Sequence, residues 1–194
     1  MSAPHEEDDL NPTQTAGYKV GAKKTVAEYA NLDAEDESLA RWKASLGIAG
    51  GDQGGGSSQP AKFIVHSLFL TSPTREGDIV LNPNDPSTKN ETITIKEGVE
   101  YSVGMTFTIE NDVISGLRYL HVVKRAGIPV EKMEKMIGSY GPKDKPHEAK
   151  FLTEESPSGF MARSGSYEVR SKIIDDDGVT RADFKWCFKI GKEW

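Results

Sequence analysis

Residues 101–109 have the sequence Tyr-Ser-Val-Gly-Met-Thr-Phe-Thr-Ile. Large apolar side chains occupy every second position, and small or polar residues stand between them. A period of two places the apolar side chains on one face of a β-strand, so this segment predicts a strand that is buried on one side only. Such a strand requires a second layer of structure on which its apolar face can pack.

The sequence on both sides of this strand contains more strands and the turns between them. Further strand-like runs are residues 63–70, 92–95, 117–123, 167–174 and 182–190. The turn-forming sequences are Asn82–Pro86, Lys96–Gly98, Gly141–Pro142 and Asp175–Gly178. Many short strands joined by turns, with few helical patterns, are typical of a β-sandwich of immunoglobulin type. We therefore predict an all-β, immunoglobulin-like sandwich over residues 61–194.

Residues 1–60 have a different character. Residues 1 to about 20 are acidic and polar, which predicts disorder in the free protein. Residues 23–47 predict two short helices, and the Gly- and Ser-rich residues 48–60 predict a flexible linker. The sequence thus predicts a flexible N-terminal helical arm over residues 1–60, attached to the sandwich.

The two predicted helices have recognisable start signals. Residues Thr25–Glu28 form a capping box for the first helix, and Asp33 or Asp36 can cap the second. In the second helix Leu39, Trp42 and Leu46 form one apolar stripe. Because helices this short are marginal alone, the stripe needs a surface to dock on, either the sandwich or a partner.

The charge and cysteine content exclude several classes of protein. The chain of 194 residues has a formal net charge of −6, of which residues 1–60 carry −5. An acidic arm disfavours nucleic acid and suits a basic protein partner. The lone Cys187 cannot form an intramolecular disulfide, and no apolar run approaches the roughly 20 residues of a membrane span. The N-terminus also lacks the apolar core of a signal peptide, so we expect a cytoplasmic protein without stable membrane insertion.

No pattern of catalytic or metal-binding residues is present. The four histidines are scattered without metal-ligand spacing, and Cys187 stands between Trp186 and Phe188, as a buried inert thiol would. The acidic run Asp175–Gly178 lacks the spacing of a calcium loop. We therefore expect no enzymatic activity, no cofactor and no metal.

Several motifs resemble those of the Rho GDP-dissociation inhibitor family. They occur in the family's order from about Tyr18 to Trp194. They are Leu32–Leu39 followed by Trp42-Lys43, Lys96–Tyr101, Ile114–Tyr119, Gly138–Pro142, Phe151–Thr153, Met161–Arg163, Gly165–Tyr167 and Asp175–Asp177. Each motif is short, but their common register over most of the chain makes the match specific.

The resemblance implies a non-enzymatic inhibitor that binds prenylated Rho-family GTPases, slows GDP release and extracts them from membranes. The expected complex contains one copy of each protein, and the geranylgeranyl or farnesyl group lies between the two sheets. The alternative is a general lipid shuttle that solubilises prenylated or acylated cargo without touching the switch regions of a GTPase.

The resemblance also implies residue roles. The expected contacts to the switch regions are Tyr18, Asp33, Asp36, Glu37, Leu39, Asp176 and Asp177. The expected prenyl pocket comprises Leu70, Ile93, Tyr101, Val113, Met161, Val169 and Trp186. An acidic patch for the polybasic tail of the GTPase is expected at Glu154 and Glu155. Ordinary core packing is the alternative for the pocket residues, and solvated surface is the alternative for the patch.

Overall fold

The computed structural model describes residues 10–13, 36–45, 60–89 and 91–194. Most of these residues lie in nine strands. The helices are α1 (Glu37–Ser45), a 3-10 helix (Pro86–Lys89) and α2 (Phe160–Arg163). The strands are β1 (Lys62–Thr71), β2 (Ile79–Leu81), β3 (Thr92–Lys96), β4 (Glu100–Glu110), β5 (Ile114–Arg125), β6 (Ile128–Tyr140), β7 (His147–Glu155), β8 (Ser166–Ile174) and β9 (Thr180–Gly191).

The strands form two sheets that pack face to face. One sheet has the order β2-β1-β4-β7 and the other has the order β3-β9-β8-β5-β6. Neighbouring strands are antiparallel, except that β3 lies parallel to β9. The alternating apolar side chains of residues 101–109 are all buried, so this strand contributes one full face to the core. The predicted immunoglobulin-like sandwich is confirmed.

The six predicted strands are present, but three further strands were not predicted. The missed strands are β2, β6 and β7, and each lies at an edge of its sheet. An edge strand exposes more of its surface, so its sequence need not alternate between apolar and polar residues. In β6 no residue is fully buried, which explains why its sequence shows no strand pattern.

Helix α1 begins immediately after Asp36. The Asp36 carboxylate accepts hydrogen bonds from the backbone N–H groups of Ser38, at 2.8 Å, and Leu39, at 3.2 Å. This is the geometry of an N-cap, which satisfies two of the helix's free N–H groups. The second predicted helix is therefore confirmed, with Asp36 as its cap. The first predicted helix and the linker lie outside the described residues, apart from Pro60.

Residues 10–13 pack against the sandwich. Leu10 is only 1% exposed and forms a small apolar cluster with Leu120, Val122 and Ile174. The prediction of disorder for residues 1 to about 20 is thus wrong for this stretch, because a single leucine finds an apolar surface that the sequence pattern does not reveal.

Candidate functional site

A small apolar cavity lies between the sheets, at the side where edge strands β2 and β3 are located. Its empty volume of about 180 Å³ includes open solvent, and no water-sized sphere fits between its side chains. Its lining consists of Leu68, Phe69, Leu70, Ile79, Leu81, Ile93, Val103 and Trp186. Since all eight side chains are apolar or aromatic, the cavity suits a hydrocarbon group and offers few partners to a polar one.

Three of the seven predicted pocket residues, Leu70, Ile93 and Trp186, line this cavity. Tyr101 and Val169 are buried in the same core but do not line it. The structure does not bring the remaining two to the cavity lining. Val113 lies in the turn after β4, and Met161 lies on α2 with 70% of its surface exposed.

Val113 and Met161 are also far from each other. Helix α2 is held near the start of β4, because Glu97 accepts hydrogen bonds from the Gly159 backbone N–H and the Arg163 side chain. Val113 follows the other end of β4, whose eleven residues span roughly 35 Å. The two residues therefore lie at opposite ends of the sandwich.

Sequence reasoning missed five residues of the lining, Leu68, Phe69, Ile79, Leu81 and Val103. Three of them, Leu68, Phe69 and Val103, stand at apolar positions of predicted strands, so they were visible as core but not as cavity. The signal for Ile79 and Leu81 is weaker, because β2 is only three residues long.

A hydrogen-bonded group fixes the ring of Trp186 beside the cavity. The Trp186 indole N–H donates to the Ser171 hydroxyl at 3.1 Å, and that hydroxyl also lies 2.8 Å from the Tyr119 hydroxyl. All three side chains are buried. Because a buried hydroxyl or indole is costly without a partner, this group favours one orientation of the tryptophan.

Glu154 belongs to a partly buried polar cluster near β6 and β7. His121 lies with its Nε2 3.4 Å from Glu131 Oε1. Burial, and then the nearby charge of Glu131, raises the pKa of Glu154. The hydrogen bond with His121 lowers the pKa of Glu131. Burial, the charge of Glu131 and a hydrogen bond between the two side chains thus favour the protonated form of Glu154, while Glu155 is exposed.

The raised pKa of Glu154 predicts a pH-dependent stability. The folded protein gains stability from the protonated Glu154 at low pH and loses it as the pH rises through the raised pKa. We expect Glu154→Gln to be stabilised relative to the native chain as the pH rises to neutral, by less than about 1 kcal/mol because solvent screens partly exposed charges.

Urea unfolding of Glu154→Gln at a series of pH values measures this difference. The exposed neighbour Glu155 provides the matched control, Glu155→Gln. A difference between Glu154→Gln and the native chain that stays constant with pH would contradict the assigned repulsion.

The turn between β8 and β9 holds three aspartates in different environments. Asp175 is buried and accepts hydrogen bonds from Arg181 Nε at 2.7 Å and the Val179 backbone N–H at 2.8 Å. Asp176 pairs with Arg118 at 3.2 Å, and Asp177 is exposed. Asp175 therefore shapes the turn, while Asp177 lies at its surface.

Gly116 determines where the Asp176 carboxylate can lie. Gly116 has a φ of +60°, and a Cβ atom at this position would overlap the carboxylate of Asp176. Glycine is thus required twice, for its backbone conformation and for the space above it. The glycine of the Ile114–Tyr119 motif therefore leaves room for Asp176 of the turn between β8 and β9.

The arm residues are only partly described. Asp36 and Glu37 are exposed at the start of α1, and Leu39 is half-buried. Tyr18 and Asp33 lie outside the described residues. Neither helix of the described part has the length and apolar character needed to cross a membrane. The same residues contain no cluster of three or more side chains positioned to hold a metal ion.

The family profile "RHO protein GDP dissociation inhibitor" matches residues 3–193 of this chain. The chain belongs to the Rho GDP-dissociation inhibitor family. The resemblance drawn from the short motifs is therefore confirmed over nearly the whole length. This family is one of regulatory inhibitors, and its name states the function that membership assigns to the chain, inhibition of GDP dissociation from Rho proteins.

Relatives named Rho GDP-dissociation inhibitor come from yeasts and mammals. The chain is 40% identical to that of Schizosaccharomyces pombe over 179 residues, covering 90% of this chain and 86% of that protein. It is 39% identical to that of Saccharomyces cerevisiae over 202 residues, covering 96% and 95%. It is 32% identical to human Rho GDP-dissociation inhibitor 1 over 196 residues, covering 100% and 93%. Among solved structures, a Niemann-Pick type C2 protein from Japanese carpenter ant aligns with a TM-score of 0.44 and 17% identity, over 70% of this chain and 96% of that one.

Proposed function

We propose that this inhibitor binds the prenyl group of a Rho-family GTPase in the cavity between its sheets, while its arm contacts the switch regions. The observation that carries the proposal is the wholly apolar lining of that cavity, which includes residues of the edge strands β2 and β3. A hydrocarbon chain gains free energy from such a lining and needs no hydrogen-bond partner there.

The cavity must enlarge to accept the lipid. No water-sized sphere fits between its side chains, whereas typical ligand pockets measure roughly 300–1,000 Å³. Strand β2 is the element that can move most easily, because only three residue pairs join it to β1. We infer that the prenyl group enters by displacing β2, which carries the lining residues Ile79 and Leu81.

Lipid burial alone does not drive extraction. Each buried CH₂ contributes about 0.8 kcal/mol, but a membrane offers nearly the same gain. Transfer from bilayer to protein is thus close to neutral, and contacts with the GTPase itself must supply the difference. The sandwich and the arm are parts of one chain, so binding through one raises the effective concentration of the other at its own contact. The overall affinity for the GTPase then exceeds that of either contact alone.

The arm supplies the second contact in this scheme. Tyr18, Asp33, Asp36, Glu37 and Leu39 would contact the switch regions and slow GDP release when the arm orders on the GTPase. Asp176 and Asp177 would contact the GTPase from the sandwich, and Glu154 and Glu155 would face its polybasic tail. We propose a complex with one copy of each protein in the cytoplasm, with residues 1–60 as the arm and residues 61–194 as the sandwich.

The decisive experiment is extraction from liposomes. A prenylated, GDP-loaded Rho-family GTPase is mixed with the full chain, and GTPase solubility and nucleotide release are followed together. We expect the GTPase to become soluble and its GDP release to slow. Soluble GTPase with unchanged GDP release would favour the lipid-shuttle alternative, and GTPase that stays on the liposomes would contradict the proposed lipid site.

A further inference from the structure

Strand β5 has apolar residues on both of its faces. Tyr119 and Val123 point into the core, whereas Leu120 and Val122 point to the outer face of the five-stranded sheet. Ile174 lies beside them on β8. A strand that is apolar on both faces requires cover on both. The outer face of this sheet therefore needs an occupant.

Residues 10–13 provide that cover. Leu10 contacts the apolar cluster and is itself almost fully buried, as are Leu120 and Val122. The Thr13 backbone N–H donates to Glu134 Oε2 at 2.8 Å, and the Thr13 carbonyl accepts from Arg118 Nη1 at 3.2 Å. The Leu10 side chain and both backbone polar groups of Thr13 thus bind the sheet.

The side chains around Thr13 form one linked group. Arg118 also pairs with Glu134 at 3.3 Å and with Asp176 at 3.2 Å. Burial alone would raise the pKa of Glu134, but the hydrogen bonds from Thr13 and the pairing with Arg118 lower it. The Arg118 guanidinium therefore binds both residues 10–13 and the turn that contains Asp176.

Charge also favours this arrangement. The strand register places Lys132 and Arg170 opposite Val122, and Lys172 and Glu134 opposite Leu120, so these side chains share the outer face. Asp183 pairs with Arg170 at 2.8 Å and Glu134 pairs with Arg118, which leaves a small positive excess on this face. Four acidic residues, 6–9, immediately precede Leu10 in the sequence. Opposite charges on the segment and on the sheet attract each other, in addition to the burial of Leu10.

We propose that residues 10–13 are a docking segment that holds the N-terminal end of the arm on the outer face of the five-stranded sheet. The arm is then attached to the sandwich at two points, at Leu10–Thr13 and at the start of β1. A second attachment point reduces the number of conformations that the arm can adopt before any partner binds.

Methyl NMR of the full chain tests this docking directly. We expect nuclear Overhauser effects between the methyl groups of Leu10 and those of Leu120, Val122 and Ile174. Leu10→Ser should remove them and shift the three partner resonances. The control Asn11→Ser changes an exposed neighbour and should leave them in place. Absence of these contacts in the native chain, or equal spectra for Leu10→Ser and native protein, would overturn the proposal.

A peptide added in trans separates docking from a general disturbance of the fold. A synthetic peptide of residues 5–15 should restore the native shifts in the Leu10→Ser chain. The same peptide carrying Leu10→Ser should bind at least about tenfold more weakly, because it lacks the buried side chain. Binding should also weaken with added salt. Equal binding of both peptides would overturn the proposal. Neither experiment needs a GTPase, so a negative result leaves the proposed function intact.

Discussion

Replacing Ile79 by tryptophan is expected to prevent this protein from extracting a prenylated Rho GTPase from liposomes. Ile79 lines the cavity from edge strand β2, and the larger ring would fill space that the lipid needs. Losing the burial of even two or three CH₂ groups, at about 0.8 kcal/mol each, lowers the affinity roughly tenfold or more. Affinity for the unprenylated GTPase should stay within about twofold, because the protein–protein contacts are elsewhere.

The neighbouring residue supplies a matched control. Val80 lies on the same short strand but faces outward and is 62% exposed. Val80→Trp therefore adds the same side chain to the same strand without entering the cavity, and we expect native extraction. Comparable thermal unfolding of the two variants would show that Ile79→Trp folds. Native extraction by a folded Ile79→Trp protein would refute the proposed entry of the lipid at β2.

Removing the charge of Asp36 is expected to weaken GTPase binding at least about tenfold, as loss of one partner of a buried charged contact does at protein interfaces. The structure adds a complication, because the same carboxylate caps helix α1. Loss of a cap costs roughly 1 kcal/mol by itself. Asp36→Ala removes both the cap and the charge and cannot separate the two roles.

Asp36→Asn separates them. Asparagine is as good an N-cap as aspartate, so this variant keeps the helix start and removes only the charge. If the carboxylate contacts the switch region, Asp36→Asn and Asp36→Ala should both bind weakly in a calorimetric titration with a GDP-loaded GTPase. Native affinity of Asp36→Asn together with a weak Asp36→Ala would restrict the role of the residue to capping.

The central part of the fold and edge strand β3 were predictable from the sequence, and the other three edge strands were not. Strands β4, β5, β8 and β9 bury one face or both, so their apolar residues recur with a recognisable period. Strand β6 can contain the charged residues Glu131, Lys132, Glu134 and Lys135, because none of its residues is fully buried. Periodicity reports burial, so a strand with little burial leaves no periodic signal.

The cavity was predictable only as part of the core. Leu70, Ile93 and Trp186 have the same apolar character as the fully packed Val169, and no local pattern shows which of them borders empty space. Met161 was expected in the pocket but lies exposed next to Phe160, which is 77% exposed. Its position depends on hydrogen bonds from Gly159 and Arg163 to Glu97, a residue 62 positions before Gly159.

The parallel pairing of β3 with β9 determines when the proposed lipid cavity can form during synthesis. Thr92 pairs with Cys187 and Lys96 with Gly191, so the strand that pairs with β3 among the described residues lies about 95 positions later in the chain. Contacts that are distant in sequence form late, because the intervening chain must first be closed into a loop. On a ribosome, Ile93 therefore cannot pack beside Trp186 until β9 has emerged. A nascent chain would hold no finished cavity of this kind until translation of the sandwich is nearly complete.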